Sequence, residues 1–328
     1  MTTARSDLAR VVETLRNAER LVVSTHVNPD GDAVGTALGL AHLLHGMGKR
    51  DVVCMMQDPV PALYAWLPGA DWFISPAGDP VDCDCFVMVD AATTPRLGDA
   101  APWIAHAQTL LTIDHHLEDH PEGDIQFVDP TYAAAGEIVT ELFATADVPL
   151  TQAAAACLYT AIVTDTGSFQ YHSTRPRTHE MAARLVAAGI DVAGISSRLF
   201  DSMSPGKYRL LARVMTRTRL IADGRAAYSE VYPTDFDDTG ADGDDLNNLA
   251  NYARAIEGVE VAMVFRSLGP ALTKVSLRAT PAFDATRVAG FFGGGGHTGA
   301  AGATLPLPLH QAKHVVLERV KACFDGAC

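Results

Sequence analysis

At 328 residues the chain is long enough for two domains, each able to bury its own core. Its 48% hydrophobic and 20% charged residues, with 27 Gly and 18 Pro spread along it, exclude a fibre or a long disordered tail. A net charge of −14 argues against a surface that grips long nucleic acid, because that grip comes from many Lys/Arg contacts to phosphates.

The first residues, MTTARSDLARVVETLRNAER, read as an amphipathic helix with Leu8, Val11, Val12 and Leu15 on one face, without the apolar core and cleavage site of a signal peptide. No apolar run approaches the ~18 to 20 residues that span a bilayer, so a cytoplasmic protein without a membrane partner is expected. The six cysteines include no C-x-x-C pair, and Cys83 and Cys85 are too close for an easy bridge. They read as buried or idle thiols rather than a disulfide framework.

From Leu21 the pattern is strand then helix: LVVSTH, AVGTALGLAHLLHGMG, DVVCMM, CFVMVD, LLTIDHH and IQFVDP. This is the grammar of a mostly parallel sheet covered by helices, in which ligands collect at the carboxyl ends of strands. Helical segments follow, AAGEIVTELFATAD, TQAAAACLYTAIVTD, RTHEMAARLVAAG and VAGISSRLF, and then SMSPGKYRLLARVMTRTRLI reads as a connector. Beyond it the pattern turns to α+β: AAYSEVY, the helix DDLNNLANYARAIEG, strands VEVAMVF and LTKVSLRA, the helix ATRVAGFF, a glycine run and a last helix QAKHVVLERVKACF. The expected division is a catalytic α/β domain over 1–190, a helical linker over 191–215 and a smaller α+β domain over 216–328.

Polar clusters stand where the strands end. His26-Val27-Asn28-Pro29-Asp30-Gly31-Asp32 sets one imidazole and two carboxylates together with no basic partner, although Asn, Pro, Asp and Gly also make an ordinary turn. Asp90 closes CFVMVD, where an Asp also serves as a turn cap. Asp114-His115-His116 follows LLTI, and these groups are costly to bury unless ligated or hydrogen-bonded; a solvated loop is the other reading. Asp165 closes an apolar helix, where an acid meets the unfavourable end of the helix dipole unless a cation offsets it. Together they offer His and carboxylate ligands for divalent ions such as Mn²⁺, and no thiolates. An EF-hand, H-E-x-x-H and a phosphate-binding P-loop are all absent.

The distal Gly293-Gly294-Gly295-Gly296-His297 follows a helix pattern instead of a strand, which disfavours a dinucleotide fold. It reads either as a flexible linker or, with Ala300, Ala301 and Gly302 behind it, as a close-packed turn whose N–H groups approach a phosphate or base. Arg266 and Arg278 fall at or near strand ends, where their forks could bind phosphate or sit in solvent or salt bridges. Asn248, in the preceding helix, could hydrogen-bond a ligand or lie on the helix surface.

The ordered set H-x-N-P-D-G-D, a strand-end Asp, D-H-H and D-T-G-S-F resembles the DHH phosphoesterase superfamily, and F-G-G-G-G-H resembles its DHHA1 subfamily. The resemblance covers most of the chain. Within the subfamily the two-domain length is most similar to NrnA-like oligoribonucleases that also hydrolyse 3′-phosphoadenosine 5′-phosphate, and to actinobacterial cyclic-dinucleotide phosphodiesterases. It implies two divalent ions, one held by His26, Asp30 and Asp90, the other by Asp32, Asp90, His115 and Asp165, with Asp90 shared. His116 would face the phosphate and Asp114 would orient the histidines. In the second domain His297, Gly295 and Gly296, with Arg266, Arg278 and Asn248, would bind substrate. The implied activity is metal-assisted hydrolysis of short nucleotide substrates, oligoribonucleotides of two to five residues, linear or cyclic dinucleotides or 3′-phosphoadenosine 5′-phosphate, with two ions roughly 3.5 to 4 Å apart activating the attacking water. Homodimerisation is left open. Two rivals stand beside this reading: an inorganic pyrophosphatase, which shares the D-H-H core but not the distal glycine run, and an idle nucleotide-binding module, which would need a lost ligand where none is lost.

Overall fold

Near-continuous apolar runs mark strands covered on both faces, and the first strands are of this kind. The computed structural model describes residues 2–246 and 248–327, leaving out the side chains of residues 2–6, 244 and 297. The chain divides into two compact units, Met1–Asp201 and Ser202–Cys328. The stretch expected as a linker, 191–215, supplies helices to both.

In the first unit α1 (Thr2–Asn17) precedes β1 (Arg20–Ser24), α2 (Gly31–Gly46), β2 (Asp51–Met55), β3 (Phe73–Ile74), β4 (Cys83–Val89), β5 (Ala107–Asp114) and β6 (Ile125–Val128). Then come α3 (Ala135–Thr145), α4 (Gln152–Asp165), α5 (Pro176–Ala187) and α6 (Val192–Phe200). The six strands form one sheet in the order β3-β2-β1-β4-β5-β6, every pair parallel. Strand order reverses between β1 and β4, and the crevice at such a switch point is where open α/β sheets take their ligands. Leu8, Val11, Val12 and Leu15 of α1 are buried in the main core, the face the sequence pattern predicts.

A glycine ridge on α2 decides how closely that helix meets α4. A Cβ at Gly31 would fall 2.3 Å from the Thr164 hydroxyl, one at Gly35 2.5 Å from the Cys157 carbonyl, and one at Gly39 2.3 Å from a Leu158 methyl. Without side chains at these three positions, one turn apart, the backbones can approach, and the start of α2 comes beside the end of α4.

The second unit runs α7 (Pro205–Arg217), β7 (Arg219–Ile221), β8 (Ala226–Val231), α8 (Pro233–Thr239), α9 (Leu249–Arg254), β9 (Val261–Gly269), β10 (Leu272–Ala279), α10 (Thr286–Phe291), β11 (Gly295–His297), β12 (Ala300–Leu305) and α11 (Leu309–Phe324). Its sheet is mixed, in the order β11-β12-β10-β9-β8-β7, with β8 and β9 parallel and the other pairs antiparallel. Strand alternation divides β9 between two cores: Val261, Met263 and Phe265 pack with α10 and α11, while Val264 packs with residues of α7 and α9. Cys54, Cys83, Cys85 and Cys157 are buried free thiols. Cys323 departs from the idle-thiol expectation, being disulfide-bonded.

Among the described residues, no helix is long and apolar enough to cross a membrane.

Candidate functional site

The loops that leave β1 and β4 flank the switch point and deliver the first acidic groups. Asp30 caps α2, its Oδ1 accepting from the N–H groups of Asp32 and Ala33 at 3.0 Å each, which starts the helix and sets Asp32 in its first turn. Asp90 immediately follows β4 in a left-handed conformation, φ +55°, with its N–H donating to the Ile113 carbonyl of β5 at 3.0 Å. A non-glycine residue held there costs about 1–3 kcal/mol and persists only where its surroundings over-determine it. Asp114 ends β5 and places His115 and His116 just past the strand's carboxyl end, while Asp165 is the last residue of α4. The close meeting of α2 and α4 is what brings Asp32 and Asp165 to the same imidazole.

Three groupings of potential ligand atoms result: His26, Asp30 and Asp90; Asp32, His115 and Asp165; and Asp90, Asp114, His115 and His116. His115 Nε2 lies 3.4 Å from Asp32, 3.4 Å from Asp165 and 3.5 Å from Asp90. On the other side His26 Nε2 is 3.2 Å from Asp90 Oδ2 and 3.9 Å from Asp30. Both rings donate through Nδ1 to backbone carbonyls, His26 to Val27 at 2.9 Å and His115 to Tyr132 at 3.4 Å, so Nε2 of each ring is turned to the carboxylates. His116 is held differently. Its Nδ1 donates to Asp114 Oδ1 at 2.8 Å, and the same oxygen accepts from the N–H groups of His115 and His116 at 2.6 and 3.1 Å.

Asp32 is fixed from three directions: the Thr36 hydroxyl and the Gly136 N–H donate to Oδ1 at 2.7 and 3.0 Å, and the Ala135 N–H donates to Oδ2 at 2.7 Å. Burial and the charge of Asp90 push the Asp32 carboxyl well above its ordinary range. Burial likewise pushes Asp165 up, to about 7. For His115, burial opposes the charged ring, but the contact with Asp90 and the charges of Asp32 and Asp165 outweigh it and raise the imidazole to about 10. Burial would raise Asp90 as well; its contacts with His115 and His26 overcome that and hold it below the usual carboxylate range.

Such a cluster is over-supplied with acceptors. Among the described residues no Lys or Arg pairs with any of these carboxylates, and the buried atoms Asp90 Oδ1, Asp114 Oδ2 and His115 Nε2 make no hydrogen bond. Unpaired buried acceptors around a hard O/N donor set are what a divalent cation would satisfy.

In the second unit a cavity of about 110 Å³ lies on the α9 face of the sheet, lined by Asn248, Arg266, Lys274, Ser276 and Arg278 among others. The antiparallel register explains this: Lys274 pairs with Arg266, and Ser276 and Arg278 follow at two-residue steps on the same face of β10. Sequence reading passed over Lys274 and Ser276, though the alternation T-K-V-S-L-R carries the signal. Two placements differ from expectation. Asn248 stands at the N-cap of α9 with φ +67° rather than within a helix, because that helix begins only at Leu249. Arg266 lies inside β9, three residues before its end, because the strand runs on to Gly269.

Gly295 and Gly296 belong to β11, and the glycine run is packed rather than loose: a Cβ at Gly294 would fall 2.1 Å from the Gly302 carbonyl, and one at Gly296 2.4 Å from the Ala300 carbonyl. His297 pairs with Ala300, which pairs with Arg278, so the three share one register across the sheet; the His297 side chain is outside the described residues.

The DHH family N-terminal domain model matches residues 20–162, and the DHHA1 domain model matches residues 223–326. The chain belongs to the DHH/DHHA1 phosphoesterase family. It is 32% identical over 313 residues, 95% of this chain and 92% of the relative, to the bifunctional oligoribonuclease and PAP phosphatase NrnA of Thermus thermophilus. With the protein of the same description from Bacillus subtilis it shares 23% over 311 residues, 90% of this chain and 92% of that one. The cyclic-di-AMP phosphodiesterase GdpP of Geobacillus thermodenitrificans is 25% identical over 332 residues, 96% of this chain but 49% of that longer protein. The crystal structure of an exopolyphosphatase-related protein from Bacteroides fragilis shares the fold, with a TM-score of 0.89 at 24% identity over 96% of each chain. Members of this family are metal-dependent hydrolases, and the His/Asp cluster of this chain lies within the DHH portion apart from Asp165, three residues beyond it.

Proposed function

We propose that this chain is a cytoplasmic, Mn²⁺-dependent phosphodiesterase and phosphatase acting on short nucleotides: oligoribonucleotides of two to five residues, linear or cyclic dinucleotides and 3′-phosphoadenosine 5′-phosphate. The observation that carries the reading is that two facing buried atoms, Asp90 Oδ1 and His115 Nε2, make no hydrogen bond inside a cluster of acids that no Lys or Arg among the described residues pairs with. In it His26, Asp30 and Asp90 hold one ion, and Asp32, Asp90, His115 and Asp165 hold the second. Two divalent ions in these positions supply Lewis acidity at the phosphoryl group and lower the pKa of water.

The chain's own groups do the rest. Val27 and Tyr132 carbonyls fix the ring protons of His26 and His115 on Nδ1, keeping each Nε2 available as a ligand. Asp114 holds His116 through Nδ1, so that Nε2 is the nitrogen that meets the phosphate. Arg266, Lys274 and Arg278, with Asn248, Gly295, Gly296 and His297, bind the nucleotide on the sheet of the second unit. Support for small nucleotides comes from the activities by which the NrnA and GdpP relatives are known, and the DHHA1 match over residues 223–326 speaks against a pyrophosphatase.

The test is a product analysis with Mn²⁺ across di- to pentaribonucleotides, 3′-phosphoadenosine 5′-phosphate, cyclic dinucleotides and pyrophosphate. Mononucleotide products from the nucleotide panel are expected. Turnover of pyrophosphate alone, or of nothing, would overturn the proposal.

A further inference from the structure

From β6 the chain passes through Thr131 and a wholly buried run, Tyr132 to Gly136, whose last two residues open α3. Three backbone groups of this segment touch the acidic cluster: the Tyr132 carbonyl accepts from His115 Nδ1, and the Ala135 and Gly136 N–H groups donate to the two oxygens of Asp32. Whatever fixes the segment therefore fixes an imidazole and a carboxylate at once.

Two charged side chains clamp it. Glu137, fully buried, accepts from the Ala133 N–H through Oε2 at 3.2 Å, and Arg177 Nε stands 3.6 Å from the same oxygen. The guanidinium of Arg177, on α5, continues across the segment, with its carbon 3.6 Å above the centre of the Tyr132 ring and Nη2 donating to the Thr131 carbonyl at 2.6 Å. One arginine thus engages Thr131, Tyr132 and Glu137 together. As a source of stability this is a poor arrangement, because an ion pair with one fully buried member seldom outweighs its desolvation, and neither Glu137 Oε1 nor Arg177 Nε makes a hydrogen bond among the described residues. Its distinctive effect is geometric: it holds the backbone donors and acceptor that orient two groups of the cluster.

We propose that Glu137 and Arg177 are positioning residues for the metal centre, setting Asp32 and His115 in their ligating orientation through residues 131–136. The inference rests on the reading of Asp32 and His115 as metal ligands. Groups that orient metal ligands tune affinity by about 10–100-fold, and that is the range expected here.

The experiment measures Mn²⁺ stoichiometry and dissociation constants by calorimetry, and metal-free Tm, for wild type, Glu137→Gln, Arg177→Lys, Asp32→Asn and Ile138→Val. Glu137→Gln keeps an acceptor for Ala133 but loses the charge; Arg177→Lys keeps the charge but cannot span the Tyr132 ring and the Thr131 carbonyl. Ile138, buried in the main core on the same helix, reports what a simple loss of packing does. Expected is Mn²⁺ binding weakened about 10–100-fold in Glu137→Gln and Arg177→Lys, with activity recovering at high Mn²⁺, and unchanged affinity in Ile138→Val despite its lower Tm. If the two clamp variants lose Tm as Ile138→Val does while their Mn²⁺ affinity stays at the wild-type value, Glu137 and Arg177 are structural only and the proposal is overturned. Asp32→Asn separates the two readings: if it binds both ions normally, the ligand assignment has failed, whereas loss of an ion there with unaltered clamp variants rejects the clamp alone. Should Glu137→Gln not fold, Arg177→Lys decides, since that side chain is 30% exposed.

Discussion

His115 Nε2 stands 3.5 Å from Asp90 Oδ1, and neither of these buried atoms makes a hydrogen bond. Asp90 turns its other oxygen to His26 at 3.2 Å, so one carboxylate faces both sides of the cluster. Its left-handed backbone, tied by its N–H to β5, leaves it little freedom to turn elsewhere.

Asp90→Asn should therefore abolish hydrolysis and lower bound metal more than Asp30→Asn or Asp165→Asn. Groups that merely orient a metal ligand cost about 10–100-fold when removed, so a ligand shared by two ions should cost more than about 100-fold. Metal content by mass spectrometry and initial rates check this. Full activity in Asp90→Asn would end the two-ion reading.

His116→Ala should separate rate from metal content. His115 reaches three carboxylates through Nε2, whereas His116 is tied through Nδ1 to Asp114. The variant is expected to keep both ions and lose about 100-fold or more in kcat, the scale of general acid–base contributions. Asp114→Asn, which leaves His116 in place but without its carboxylate, should lose less. Loss of an ion in His116→Ala would exchange the roles of the two histidines.

The metal-free cluster should hold protons that the ions displace. Asp165 is pushed up to about 7 and His115 to about 10, so at neutral pH protons compete with metal for both. The sign follows: lowering pH protonates the ligands and weakens binding, and Mn²⁺ affinity should rise steadily from about pH 6 to about pH 8 with net proton release. Calorimetry in buffers of different ionisation enthalpy counts those protons. Affinity that is flat across this range would contradict the assignment of Asp165 and His115 as ligands.

Much of this was legible in the sequence, and the failures have a common cause. Apolar runs ending in His26, Asp90 and Asp114 gave away the parallel sheet and the edge at which its ligand groups gather, since a strand's hydrophobic pattern and its terminal residue are both local. The roles of Tyr132, Ala135 and Gly136 were illegible, because they act through backbone groups that any residue possesses. Nothing in the sequence sets Glu137 apart from other helix acids; only the fold brings Arg177 across to it. The spacing of Gly31, Gly35 and Gly39 has meaning only beside α4, and the fold is what brings that helix against it. Lys274 was missed for want of a register, which depends on β9 lying opposite.

In the second unit, Arg266→Ala, Arg278→Ala, Lys274→Ala and His297→Ala should raise KM for dinucleotides with little change in kcat. A hydrogen bond to a charged group contributes about 1.5–3 kcal/mol, so each should raise KM by about tenfold to a hundredfold. A generic activated phosphodiester, making fewer contacts with this unit, should be hydrolysed with much smaller change. Equal losses on both substrates would assign these residues to the fold of the sheet instead.

Substrate length follows from setting the net charge of −14 against a site that must still bind phosphates. Long RNA needs a basic track well beyond the active centre, and each phosphate neutralised along a single strand adds about −0.7 to the slope of log K against log salt. No basic run exists in this sequence, and the cations gathered around the second unit's cavity are Arg266, Lys274 and Arg278. Counted with two divalent ions, that charge would suffice for two or three phosphates. Dinucleotide-sized substrates should therefore be cleaved best, efficiency should fall as chains lengthen beyond about five nucleotides, and the salt slope should stay near about −2. Rates on a ladder of RNA lengths, each measured across a salt series, test both halves of the argument. A rate that climbs with length, accompanied by a steep salt slope, would reveal a phosphate track elsewhere on the molecule and replace this reading with a processive exonuclease.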